Sequence, residues 1–186
     1  GIIMALPSII NRLSIQLSDI DRGIYRTIKA TVARHPSETE ERLVARLLAY
    51  ALFFEEDLVF TRGICTGDEP DIWAKGPGGR VSLWVEVGLP EPERLIKASR
   101  HALRVALLAF GNGLPNWERQ HLAQLADIPN IAIATVEQSF IRRLTALLER
   151  SISWEITITG DALYLQAAGQ SLETQVQIIF KSKCFA

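Results

Sequence analysis

Val81-Ser82-Leu83-Trp84-Val85-Glu86-Val87-Gly88 is an apolar run that carries a single carboxylate. Alternation with period two places Leu83, Val85 and Val87 on one face of a strand. Ser82, Trp84 and Glu86 fall on the other. An unpaired charge in such a strand costs roughly several kcal/mol, so Glu86 calls for a partner. A short distance upstream lies Asp68-Glu69-Pro70-Asp71, a loop of carboxylates. Two carboxylates brought together at a strand end are a common way to hold a hard cation such as Mg²⁺. This stretch therefore sets both a central strand and the first place to look for chemistry.

Reading outward, Lys75-Gly76-Pro77-Gly78-Gly79-Arg80 is a strong turn before that strand, with residues 72–74 as a further strand. Residues 58–61 form a short strand. Upstream, Pro36-Ser37-Glu38-Thr39-Glu40 has the pattern of a capping box with Ser37 as N-cap. Leu43, Val44, Leu47, Leu48, Ala51 and Leu52 then recur at helical spacing, and the helix ends near Phe54. Ile9, Leu13, Ile15 and Leu17 mark a first strand. A turn at residues 19–23 leads to a second strand over residues 24–32. Downstream, helices are expected at 91–101, 117–125 and 137–150, alternating with strands at 105–110 and 130–136. Strands at 152–159, 162–167 and 172–180 close the chain through tight turns at Gly160-Asp161 and Gly169-Gln170. Mixed α/β in the middle and strands at both ends predict one domain over residues 4–186. The terminal strands are expected to form an additional antiparallel sheet. Gly1-Ile2-Ile3 precede Met4 and are read as a leftover outside the fold.

Hydrophobic content of 48% and charged content of 22% describe a globular chain with a sizeable core. The net charge of −1 leaves room for only a local basic patch, so broad electrostatic attraction to nucleic acid is not expected. Cys65 and Cys184 match no metal spacing and make no disulfide framework. A reducing cytoplasmic setting is expected. No signal peptide is visible, and residues 105–110 are too few to span a bilayer, so no membrane role is expected.

The candidate chemistry is metal-assisted phosphodiester hydrolysis. Asp71 and Glu86 would hold Mg²⁺ or Mn²⁺, with Asp68 as the alternative loop ligand. Glu41 would add a direct or outer oxygen. Of the acids opening the first helix, Glu41 lies at the edge of the buried stripe, whereas Glu38 stacks outward with Arg42. Arg94 and Lys97, three apart on the next helix, lean to one side. Lys97 would orient the water or stabilise charge developing on phosphate. His35 lies near the start of the first helix, where a phosphate could bind, although a local hydrogen bond is its plainer role. Trp73, Trp84, Trp117 and Trp154 are read as packing residues. No dinucleotide-binding glycine fingerprint, no serine elbow and no histidine metal spacing is present.

Ala33-Arg34-His35-Pro36-Ser37-Glu38-Thr39, continued by Glu41-Arg42, resembles the helix-opening signature of the YaeQ family. Phe60-Thr61-Arg62-Gly63, Asp68-Glu69-Pro70 with Trp73, Leu83-Trp84-Val85-Glu86-Val87-Gly88, and Pro90, Arg94, Lys97 and Ala98 resemble it in the same order. The resemblance implies a core related to the PD-(D/E)XK nucleases. Glu41, Asp71 and Glu86 would then fill that superfamily's acidic places. Gly88 stands where its lysine would be, and Lys97 is the nearest substitute. A basic groove of Arg34, Arg62, Arg94 and Lys97 beside the acids would mark a nuclease-like enzyme with nucleic acid as partner. The alternative is a non-catalytic binding or regulatory protein that keeps the nuclease-like core.

Overall fold

The computed structural model describes residues 7–61 and 68–185. Alternating apolar residues build a long hairpin, β1 (Ile9–Asp19) and β2 (Ile24–Arg34), paired antiparallel along its whole length. Then comes α1 (Glu40–Leu52), whose residues Leu43 to Ala51 are all buried. A helix buried on every side must lie between layers, and the core around it draws Leu13, Ile15 and Trp154 from one sheet and Val85 and Leu108 from the other. The N-cap is Thr39 rather than the expected Ser37: its side chain accepts a hydrogen bond from the Arg42 amide at 3.1 Å. That shift leaves Glu38 outside the helix, free to turn inward.

The central sheet follows. β3 (Leu58–Phe60), β4 (Ile72–Lys75) and β5 (Val81–Gly88) pair antiparallel. After α2 (Pro92–His101), β6 (Ala102–Ala109) returns parallel to β5. After α3 (Leu114–Leu125), β7 (Ile131–Thr135) returns parallel to β6. α4 (Gln138–Ala146) then leads to β8 (Ser151–Thr159), β9 (Ala162–Ala167) and β10 (Gln170–Gln175). β8 joins the N-terminal hairpin, giving a five-stranded sheet of order β10-β9-β8-β1-β2. This sheet is mixed, not purely antiparallel, because β1 and β8 run parallel.

The expected last strand over 172–180 is two strands. The β9–β10 pairing ends at Gln175, and the Val176 amide donates in the same register to the Asp161 carbonyl at 2.7 Å. β11 (Gln177–Lys181) then pairs with β7 and completes a six-stranded sheet of order β11-β7-β6-β5-β4-β3. The two faces of β5 separate as alternation predicts. Leu83, Val85 and Val87 join the core around α1, whereas Trp84 joins a second core with Leu95, Ala98, Leu107 and Trp117 of α2, β6 and α3. Among the described residues, no helix is long and apolar enough to cross a membrane.

Candidate functional site

Asp71 and Glu86 meet at one end of the central sheet. Ile72 pairs with Val85, so continuing the antiparallel register by one step sets Asp71 beside Glu86. Both carboxylates are buried. Thr61 holds the acidic loop in place: its Oγ donates to the Pro70 carbonyl at 2.5 Å and its amide to the Asp71 carbonyl at 3.1 Å. Residues 62–67, with Arg62 and Cys65, lie outside the described residues.

Each acid already has a cation. Asp71 accepts from Arg42 Nη2 at 2.7 Å through Oδ1 and from the Val87 amide at 3.1 Å through Oδ2. Glu86 accepts through Oε1 from Arg94 Nε at 2.5 Å and from Trp84 Nε1 at 3.0 Å. Arg94 Nη2 also donates to the Glu69 carbonyl at 2.8 Å, tying α2 to the acidic loop. Burial pushes the Glu86 carboxyl above its ordinary range. Arg94 and Trp84 pull it back in part, and Asp71 adds to the rise. Burial also works against the Arg42 charge, but Asp71 and Glu38 more than offset it and raise its pKa.

Glu38 is the residue that spacing misplaced. It is buried, and it pairs with Arg42 Nη1 at 2.6 Å and with Arg46 Nη2 at 2.7 Å. Arg46 is fully buried and also donates to the Ala33 carbonyl at 2.9 Å. Arg46, Glu38, Arg42 and Asp71 thus form a chain of charges from the end of β2 through α1 to β4. The Glu38–Arg42 pairing was legible; its inward direction was not, because Glu38 precedes the helix and does not follow its periodicity.

The remaining candidates are spread over the same region. Glu41 is half-buried, and its Oε2 accepts from Gln138 Nε2 of α4 at 3.4 Å, with no hydrogen bond to Asp71 or Glu86. Arg34 donates to the Glu38 carbonyl at 2.9 Å. His35 is exposed, and its Nδ1 accepts from the Ser37 amide at 3.1 Å. Lys97 is exposed on α2, with no hydrogen bond or ion pair among the described residues. It lines a cavity of about 550 Å³ with Arg94, Asp68, Trp73 and Trp84. So Asp68, Arg94 and Lys97 come together, next to the Asp71–Glu86 pair, while Glu41, Arg34 and His35 do not join them.

Donor chemistry decides whether Mg²⁺ fits. A divalent cation needs several oxygens turned toward one point. Among the described residues, no three His, Cys, Asp or Glu side chains form such a cluster. Guanidinium groups occupy the places a cation would take on Asp71 and Glu86. In this arrangement the residues do not fit the ion.

The YaeQ family model matches residues 4–176. The chain belongs to the YaeQ family. It is 34% identical to "Uncharacterized protein YaeQ" of Salmonella typhi over 93% of this chain and 96% of that protein. Identity to the protein of the same name from Escherichia coli (strain K12) is 32%, with the same coverage. Among solved structures, YaeQ from Pseudomonas syringae superposes with a TM-score of 0.91 at 39% identity, covering 96% of this chain and 99% of that one. YaeQ from Xanthomonas axonopodis pv. citri gives 0.88 at 31% identity, covering 92% and 98%. The YaeQ resemblance read from Ala33–Thr39 and Leu83–Gly88 thus holds along nearly the whole chain, and the two mixed sheets are those of a family fold.

Proposed function

We propose that this YaeQ-family protein binds a phosphodiester of nucleic acid at the end of the central sheet, on a nuclease-like core that does not cut. The observation that carries this reading is the pairing of each buried acid with an arginine, beside a cavity where Lys97 makes no ion pair among the described residues. The order α1, three antiparallel strands, α2 and a parallel strand is compatible with a restriction-endonuclease-like core. Asp71 and Glu86 lie toward the carboxyl end of β5, and the cavity runs from there along α2 toward Val81 and His101. Lys97 supplies an available positive charge, while Asp71 and Glu86 fix Arg42 and Arg94 in place. A cytoplasmic setting accords with this role.

Hydrolysis dependent on Mg²⁺ or Mn²⁺ is the second reading. The side-by-side placement of Asp71 and Glu86 favours it, and it requires Arg42 and Arg94 to leave the carboxylates. Fluorescence anisotropy with labelled single-stranded DNA and RNA, in EDTA and in Mg²⁺, separates the two. The expected result is binding in EDTA that weakens with salt and in Lys97→Glu, with intact oligonucleotide recovered afterwards. Absence of binding at low ionic strength overturns the first reading, and metal-dependent cleavage supports the second.

A further inference from the structure

The cavity along α2 has a makeup that phosphate binding alone does not explain. Its walls include Trp73, Trp84, Val81 and Ala98. The Trp73 and Trp84 rings meet edge to face with centroids 6.4 Å apart. Lys75 Nζ lies 4.2 Å from the Trp73 centroid and helps to fix that ring. Trp84 is fixed from its other end by the bond of its Nε1 to Glu86. The cavity volume of about 550 Å³ lies within the range of small-ligand pockets. Charged groups of both signs surround these walls: Arg94 and Lys97 on one side of the balance, Asp68 and Glu93 on the other.

We infer that this cavity takes a nucleobase, so that the ligand is a nucleotide of a single strand. The inference rests on the phosphodiester-binding reading and names its ligand class. A bare phosphate has no use for an apolar wall, and two carboxylates nearby oppose it. A nucleotide uses both parts. Its base packs against the indole and aliphatic walls, and its amino or ring N–H groups donate to Asp68 or Glu93. Its phosphate meets Lys97. Base–aromatic stacking is tolerant of sequence because every base has a π-face.

The test is a titration followed by intrinsic tryptophan fluorescence, using nucleoside monophosphates, free nucleosides and ribose 5-phosphate. Nucleoside monophosphate is expected to quench emission and to bind about tenfold or more tighter than ribose 5-phosphate, within the range that base stacking supplies. Lys97→Gln, an exposed substitution, is expected to weaken the monophosphate several-fold and to leave the nucleoside unchanged. Equal affinity for monophosphate and ribose 5-phosphate, with oligonucleotides still bound, overturns the base pocket and leaves the phosphodiester reading standing. Binding of neither oligonucleotides nor nucleotides overturns both.

Discussion

Gly88 ends β5 with φ at 103°, a conformation that side-chain-bearing L-residues rarely adopt. Position 88 has open space around it but a backbone that favours glycine. Gly88→Lys is therefore expected to cost about 1–3 kcal/mol in chemical denaturation from backbone strain alone; an unchanged midpoint would contradict this. Arg46 makes a second residue-level case. It is buried together with Glu38, so removing it leaves that buried carboxylate with Arg42 as its one remaining cation among the described residues. Arg46→Ala is expected to destabilise by roughly 3–5 kcal/mol, and a loss below about 1 kcal/mol would show that Arg42 alone suffices. Glu86 links stability to pH. Its folded pKa lies above the ordinary value, chiefly because it is buried. A raised pKa gives stability that is fully present below the unfolded value and is lost as pH rises through the folded one. Across that window, the stability of the wild type should fall relative to Glu86→Gln. Parallel curves for the two proteins would remove burial as the dominant cause.

At the scale of elements, α1 depends on its two ends. Thr39 caps the first turn. At the other end, Arg22 from the β1–β2 turn donates to the Phe54 carbonyl at 2.6 Å and the Leu52 carbonyl at 3.1 Å, and pairs with Asp19 at 2.7 Å. A cation at the negative end of a helix is favourable. Arg22→Ala is expected to lower stability by about 1–2 kcal/mol, read as a shift in the thermal midpoint; no shift would mean water replaces the guanidinium at no cost. The elements also show where sequence is informative. Alternation placed Trp84 and Glu86 on one face of β5 because that period is local and strict. The apolar stripe of α1 was equally plain. The break at Val176 was not, since it depends on residues 177–181 pairing with β7 of the other sheet. The parallel pairing of β1 with β8 was hidden for the same reason: it joins segments more than a hundred residues apart. The acids were legible as residues, whereas their arginine partners come from other elements and become visible only when α1 and α2 are packed on the sheet.

For the whole molecule, one core spans both sheets through α1. Trp154 reports on the five-stranded sheet and Trp84 on the six-stranded one. Single-tryptophan variants keeping one or the other should unfold in denaturant with coincident transitions, as a two-state domain does; separated midpoints would show two cooperative units. The charge chain Arg46–Glu38–Arg42–Asp71 crosses the same interface, so the layer contacts and the site depend on one another. The central claim is that guanidinium groups, not a metal, neutralise Asp71 and Glu86. Titration of the wild-type protein with Mn²⁺, followed by electron paramagnetic resonance of the free ion, tests it most directly. The account predicts no binding at micromolar Mn²⁺ in the wild type. Stoichiometric binding that disappears in Glu86→Gln would contradict it.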